Sequence, residues 1–172
     1  LLSEPGWTTL YANGTSIDYN LMLDTYDLCK KSNSGEIDEV WLMGFPWAGY
    51  YESELAGQNA FLYNSPPLNY GNSCTGLLPI MGYNFERDWP EAIHSYGHRI
   101  EATMSQVYGG WTYDGTPANN WELFASIDLY NPQHSYLGNV HFPANGVVDY
   151  DYANTTPVVN YAENFNYFPY LF

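Results

Sequence analysis

The sequence predicts an α/β fold, with a small, mostly parallel sheet, flanking helices and a long irregular, aromatic-rich C-terminal part. Three observations predict this class. A segment with helical periodicity occupies residues 88–110, two apolar strand-like runs precede it at 40–45 and 77–83, and no sustained periodicity follows it. The chain has 172 residues, of which 45% are hydrophobic, so it can bury one core. We therefore predict a single domain over 1–157 and an aromatic tail over 158–172 that packs on the domain or on a partner chain.

The segment 88–110 carries signals for both ends of a helix. Asp88 is a good N-cap residue, and Pro90 lies in the first turn, where its missing N–H group costs nothing. Gly109 and Gly110 supply a stop signal. At about 100° per residue the helix has an apolar face, which we expect to anchor it in the core, and a polar face available for chemistry. The apolar face carries Ile93, Tyr96, Ile100, Met104 and Val107, and the polar face carries Glu91, His94, His98, Glu101 and Ser105.

The polar face of this helix predicts a metal site. His94 and His98 lie one turn apart, and Glu101 follows His98 by three residues, so the three side chains converge. Imidazole and carboxylate groups at that spacing can hold a divalent metal such as zinc. His141, between bulky apolar neighbours in a segment predicted to be extended (139–143), is a candidate for a further imidazole ligand. The alternatives are a structural polar network or a solvated face for the helix residues, and a core histidine bonded to the backbone for His141.

Two apolar runs predict the strands of the sheet. The run 40–45 follows a predicted helix over 17–31 capped by Ser16, and we expect this strand to be buried on both faces. The run 77–83 predicts the second strand, in which Pro79 marks an edge, a bulge or the strand's start. Because the order is helix, strand, loop, strand, helix, we expect parallel strands joined by right-handed crossovers.

Charged residues follow both predicted strands. In open α/β sheets, ligand sites are built at the carboxyl ends of the strands. Glu52 follows the first strand, and Glu86 and Arg87 follow the second, so we predict catalytic roles for these side chains. Arg99 joins them because it and Arg87 are the chain's two arginines, and both lie in or beside the predicted helix. The alternative for Glu52 is an ordinary acid in a surface loop.

Five short segments carry a resemblance to a known family. They are GEIDEVW (35–41), YES (51–53), NSPP (64–67), GHRIE (97–101) and GNVHF (138–142). Over residues 20–152 the chain resembles an uncharacterised family of secreted, mostly bacterial proteins. That family has no established activity, so the resemblance implies no catalytic residue. It implies that the chain is part of a longer secreted protein, and it draws attention to Glu52, His98, Arg99, Glu101 and His141, but not to His94.

The charge balance disfavours some classes of binding partner. The chain has 19 acidic residues against 4 Lys and Arg residues, and its net charge of −15 disfavours nucleic acids and anionic membrane surfaces. No apolar run is long enough to predict a transmembrane helix. The composition, which is rich in Tyr, Asn and acids and poor in Lys, is typical of a secreted protein.

Cysteines and glycosylation triplets also bear on secretion. Cys29 and Cys74 allow one disulfide in an oxidising compartment, and the alternative is two buried free thiols. Asn13 and Asn154 begin two N-glycosylation triplets. The acids at 149–151 offer oxygen ligands to calcium, although three residues do not make an EF-hand loop.

The sequence has no G-x-S-x-G, no P-loop and no G-x-G-x-x-G, which disfavours serine hydrolases, NTPases and dinucleotide-binding proteins. Three candidate functions remain. The first is a secreted metal-assisted or acid/base hydrolase acting on an extracellular polysaccharide or peptide, with Glu52 or Glu86 as general base. The second is a glycan-binding module that stacks sugars on exposed aromatic rings. The third is an extracellular structural subunit that self-associates through its aromatic tail.

Overall fold

The computed structural model of the protein describes residues 11–12, 16–45, 48–69, 72–112 and 114–163. The chain forms two compact units, residues 1–102 and residues 103–172. Most of the predicted aromatic tail and the glycosylation triplet at Asn13 lie outside the described residues. The predicted domain boundary at 157/158 therefore stays a prediction.

The secondary structure of the first unit combines short strands with helices. Residues Tyr11–Ala12 (β1) and Ser16–Ile17 (β2) pair in antiparallel fashion. The elements that follow are helices α1 (Tyr19–Thr25) and α2 (Leu28–Asn33), strands β3 (Val40–Gly44), β4 (Ser53–Ala56) and β5 (Leu78–Asn84), and helix α3 (Trp89–Tyr108), which continues into the second unit.

A three-stranded sheet in the order β3-β5-β4 forms the centre of the first unit. Strand β3 runs parallel to β5, with Met43 opposite Tyr83, and β4 runs antiparallel to β5, with Leu55 opposite Pro79. The α/β class and the parallel pairing of the two predicted strands are confirmed. The sheet as a whole is mixed, because β4, which the sequence pattern did not predict, adds an antiparallel ladder. Pro79 is the second residue of the central strand, close to its start.

The predicted helix over 17–31 is two helices. Asp27 has a left-handed backbone conformation (φ 52°) and separates α1 from α2. Asp18, not Ser16, caps α1, since its Oδ1 accepts a hydrogen bond from the Leu21 N–H group at 2.9 Å. Ser16 lies in β2, and its pairing with β1 holds it in an extended conformation before the helix begins.

The main core lies between the N-terminal helices and one face of the sheet. Its most buried residues include Leu23 of α1, Ile80 of β5 and the cysteines Cys29 and Cys74, which form a disulfide. Of the two alternatives that the sequence left open for the cysteines, the structure shows the disulfide. The bond joins α2 to the loop before β5. Both cysteines belong to the buried core cluster, so the bond lies where these two segments pack together.

Strand β3 is not buried on both faces, contrary to the prediction from its apolar run. Trp41 and Met43 are 57% and 53% exposed, whereas Val40 and Leu42 pack against the core. Successive side chains of a strand point to opposite faces, and only one face of β3 is covered in this way. A run of apolar residues cannot distinguish a doubly covered strand from one whose outer face lines a cleft.

Helix α3 has the predicted bounds, with Asp88 at its start and left-handed Gly109 after its end. The burial of its two faces is the opposite of the prediction. The apolar face is exposed, and the polar face points inward. Ser95 and Glu101 are buried, and Ala102 packs against a small cluster around Leu55. The prediction that the apolar face anchors the helix is wrong, because the buried residues of the helix, Ser95 and Glu101, are polar. The exposed apolar residues are Trp89, Ile93, Tyr96, Ile100 and Val107.

Strand β4 carries a buried acid, Glu54, that has hydrogen-bond partners inside the protein. Glu54 is 1% exposed, and burial raises the pKa of its carboxyl group against the opposing hydrogen bonds from Ser65 and the Leu55 N–H group. The Ser65 hydroxyl lies 2.7 Å from Glu54 Oε2 and 2.8 Å from the Ser53 carbonyl oxygen. The Ser65 hydroxyl has one proton and can donate to only one of these two oxygens. When it donates to the Ser53 carbonyl oxygen, a protonated Glu54 can donate to the Ser65 oxygen, so every group has a partner.

We expect Glu54→Gln to stabilise the protein relative to the wild type as the pH rises. A carboxyl group whose pKa is raised on folding contributes stability below its unfolded pKa of about 4.3 and loses it as the pH rises toward the folded value. The glutamine amide donates to Ser65 at every pH, so the stability of the variant relative to the wild type should increase between pH 4 and pH 8. Urea unfolding at the two pH values measures this, and an unchanged difference would contradict a protonated Glu54.

Besides the end of α3, the described part of the second unit has one short helix, α4 (Asn120–Phe124), capped by Asn119, whose side chain accepts from the Glu122 N–H group at 2.8 Å. Elsewhere in its described part, the backbone is irregular with isolated pairings such as Gly138 with Pro143. The segment 139–143 is a turn rather than the predicted extended piece, because Asn139 donates to the Phe142 carbonyl oxygen. Its short polar side chain also accepts from the turn's N–H groups, which favours this conformation.

Candidate functional site

A cleft opens at the carboxyl ends of β3 and β5, where the parallel pairing predicts a ligand site. Its volume is about 830 Å³. Glu52, Glu86 and Arg87 all line it. Because Gly44 and Asn84 end their strands opposite each other, the segments that follow are brought to the same edge of the sheet. The structure thus brings together three of the four side chains for which catalytic roles were predicted.

Aromatic side chains form the walls of this cleft. They include Trp41, Tyr50, Tyr83, Phe85 and Trp89. The Tyr50 hydroxyl donates to the Tyr83 carbonyl oxygen at 2.6 Å, and Trp41 packs edge-on against Tyr83 at 5.4 Å between ring centres. Gly82 forms part of the floor, since a Cβ there would overlap the Tyr51 carbonyl oxygen. This lining could not be predicted from the sequence, because residues 40–43 are all apolar and only the structure shows that Trp41 and Met43 are exposed.

A cluster of imidazoles and carboxylates lies beside the cleft on the inward face of α3. The Nε2 atoms of His94 and His98 are 3.1 Å apart. Nδ1 of His98 lies 3.2 Å from Glu101 Oε2, and its Nε2 lies 3.5 Å from Glu52 Oε2. Burial lowers the pKa of His98, but Glu101 and then Glu52 outweigh it and raise the pKa overall. Glu52 therefore belongs to both features, since it lines the cleft and contacts His98.

Glu86 and Arg87 lie on the rim of the cleft at the start of α3. Arg87 forms an ion pair with Glu91 at 3.4 Å, and both side chains are about half exposed or more. An exposed pair of this kind contributes about 0.2–1 kcal/mol or less and keeps neither partner fixed. The guanidinium and the carboxylates at this rim are thus able to turn toward a bound ligand.

Arg99 is not among the residues that line the cleft. It forms an ion pair with Glu39, and its guanidinium lies 5.1 Å from the centre of the Tyr96 ring. Burial raises the pKa of Glu39, but Arg99 and the Trp41 Nε1–H group, which donates at 2.7 Å, lower it overall. These contacts join α3 to the start of β3, so they position the cleft wall rather than enter the cleft.

His141 lies in the second unit, where its ring contacts its own neighbours. Nδ1 is 3.0 Å from Asp149 Oδ1, and Nε2 is 3.1 Å from the Tyr150 hydroxyl. Asp151, the other acid of the calcium alternative, accepts from the Val147 N–H group and from the Asn154 amide. The Asn154 amide also donates to the Asn145 carbonyl oxygen. Both acids are therefore engaged in local structure, and glycosylation at Asn154 stays a prediction.

The histidines support the metal prediction in its coarse form. His94, His98 and His141 each offer a ring nitrogen that can serve as a metal ligand. His134 stacks on Tyr161, at 5.6 Å between ring centres. These histidines could thus hold a metal ion, while the identity of the metal and the complete set of ligands stay predictions.

Comparisons of the chain with protein-family models, with curated proteins and with solved structures find no match. The resemblance to a secreted family therefore stays a prediction. Within the described parts of the chain, no helix combines the length and apolar character needed to cross a bilayer. The disulfide is compatible with an extracellular location, where thiols are oxidised.

Proposed function

We propose that the protein is a secreted, metal-assisted hydrolase in which His94 and His98 bind a divalent ion. The observation that carries the proposal is the 3.1 Å separation of their Nε2 atoms. Two ligands about 2.0–2.1 Å from one tetrahedral metal lie about 3.3 Å apart, so this separation fits a shared zinc ion. Both imidazoles come from one rigid helix, one turn apart, which holds the pair in place.

Glu101 acts as a positioning residue for His98 in this proposal. Its carboxylate contacts Nδ1, the ring nitrogen that does not face His94. A carboxylate on the second nitrogen of a metal-binding histidine fixes the tautomer and makes the ligand more basic. Burial of Glu101 keeps water from competing for the same contact. The sequence predicted a direct ligand here, and the geometry favours this indirect role.

Glu52 is the general acid/base of the proposed reaction. Its Oε2 lies 3.5 Å from Nε2 of His98, and its side chain is 43% exposed toward the cleft that it lines. A carboxylate at this position can take a proton from a water molecule and pass it to the leaving group, and a metal held by His94 and His98 would make that water more acidic. Glu86, on the same cleft, is the second candidate for this role.

Zinc titration of metal-free protein by calorimetry tests the metal site. We expect one zinc ion per chain, with affinity reduced at least tenfold in His94→Ala and in His98→Ala, and about tenfold to hundredfold in Glu101→Gln. His134→Ala is the matched control, since it removes an imidazole stacked on Tyr161 and should leave the affinity unchanged. His141→Ala tests the sequence prediction of a further imidazole ligand.

Two outcomes would contradict the proposal. Zinc affinity that is unchanged in His98→Ala would show that the ion, if bound, lies elsewhere. Hydrolysis that survives in Glu52→Gln while zinc remains bound would remove Glu52 as the acid/base and favour Glu86.

A further inference from the structure

The aromatic cleft is strongly acidic. Four carboxylates line it, from Glu52, Glu86, Asp88 and Glu91, against the single guanidinium of Arg87. Asp88 accepts from the Trp89 N–H group at the start of α3, and Arg87 pairs with Glu91. A phosphate, sulfate or uronate group would therefore meet net repulsion throughout this cleft.

The aromatic lining is exposed to an unusual degree. Trp41, Phe85 and Trp89 are 57%, 61% and 68% exposed, and Met43 beside them is 53% exposed. Large apolar side chains gathered in one cavity and left open to water mark a ligand site. Each of the three rings presents more than half of its surface, so their contribution to the core is small.

We propose that this cleft binds an extended polypeptide segment bearing Lys or Arg side chains. Such side chains join an aliphatic stem to a cationic head, and the stem can lie on the aromatic rings while the head reaches a carboxylate or an indole face. The chain's net charge of −15 attracts the same ligand over a longer range. A neutral glycan would stack on the rings but gain nothing from the charge, and an amino sugar carries its ammonium group without an aliphatic stem.

This inference names the substrate class of the proposed hydrolase and rests on that function only for the reaction, not for binding. In the reaction, a water oxygen would form a bond to the peptide carbonyl carbon while Glu52 takes a proton from that water, and a metal held by His94 and His98 would supply the Lewis acidity. The C–N bond then breaks, and Glu52 passes the water's proton to the leaving amine. No redox partner is needed. Because Glu52 lies in the cleft wall beside His98, a peptide held there would present its backbone to the acid/base.

Binding of fluorescently labelled octalysine to metal-free protein, measured by anisotropy in EDTA, tests the inference independently of the metal site. We expect octalysine to bind, and octaglutamate and a neutral cello-oligosaccharide not to. Removing one cleft carboxylate (Glu86→Gln) or one exposed ring (Trp89→Ala) should weaken octalysine binding about threefold to tenfold. Both residues are exposed, so the variants should fold, which circular dichroism checks.

Matched controls separate cleft binding from general attraction to an acidic protein. Glu36→Gln makes the same charge change, and Tyr26→Ala removes another exposed ring, at positions that do not line the cleft. We expect less than a twofold change in either control. Equal weakening in the controls and the cleft variants would overturn the inference, as would binding of the cello-oligosaccharide in place of octalysine. If octalysine binds but zinc does not, the cleft assignment stands and the metal-assisted reaction fails.

Discussion

Removal of the Cys29–Cys74 disulfide is expected to lower the free energy of unfolding by about 4 kcal/mol. The cysteines are 45 residues apart, so the bond closes a long loop in the unfolded chain and removes much of its conformational freedom. Folding therefore loses less conformational entropy when the disulfide has already closed the loop. Because both cysteines lie within the main core, the closed loop also joins elements that pack in the native state.

Urea unfolding followed by circular dichroism, with and without a phosphine reductant, measures this effect. The double variant Cys29→Ala/Cys74→Ala is the control, since the reductant should leave its stability unchanged. Alanine is chosen over serine because serine would place two unpaired hydroxyl groups in the core. A loss below about 1 kcal/mol on reduction would show that the unfolded chain keeps these residues close without the bond.

Replacement of Glu122 by Gln is expected to destabilise the second unit by about 2–4 kcal/mol at pH 7. The buried carboxylate accepts three hydrogen bonds from the loop that precedes α4. Oε1 accepts from the N–H group and hydroxyl of Thr112 at 2.7 and 2.8 Å, and Oε2 accepts from the Ala118 N–H group at 2.6 Å. An amide in its place turns a donor toward another donor, whichever way it is oriented, and leaves a buried N–H group unpaired.

The effect of Glu122→Gln should depend on pH. The Ala118 N–H group, and then the Thr112 donors, lower the pKa of Glu122 against the opposing effect of burial. A carboxyl group with a lowered pKa contributes stability above its unfolded pKa of about 4.3 and loses it as the pH falls through the folded value. The difference between wild type and variant should therefore be largest at neutral pH and shrink in acid.

Thermal unfolding at pH 7 and at pH 3 measures this dependence. Glu163→Gln makes the same chemical change at an exposed position of the same unit and should shift the midpoint little at either pH. A Glu122→Gln variant as stable as the wild type at pH 7 would mean that the three contacts contribute no net stability.

Several features of the fold could be predicted from sequence because they depend on neighbouring residues. The ends of α3 follow from Asp88 and from Gly109, which adopts a φ of 81°. The cap at Asn119 follows from the same kind of local hydrogen bond. The position of Glu52 at the carboxyl edge followed from strand order. In contrast, β4 is only four residues long and contains the buried Glu54, so neither its length nor its pattern indicated a strand.

The candidate site could be predicted only in part. The spacing of His94 and His98 placed their rings together, and the 3.1 Å contact agrees with that expectation. The contact of Glu52 with His98 joins residues far apart in the chain, so no local spacing predicts it. Arg99 shows the opposite case. Its rarity in the sequence suggested a catalytic role, whereas its side chain contacts Glu39 and Tyr96 and does not line the cleft, so that role stays a prediction.

The sequence by itself determined where the long helix begins and ends, that the two cysteines can pair, and which edge of the sheet carries the charged residues. These features depend on the chain's local geometry and on the order of its elements. The tertiary structure decided that the polar face of α3 points inward and that the outer side of β3 lines an aromatic cleft. Periodicity separates two faces of a helix or strand, but which face is buried depends on partners that are distant in sequence.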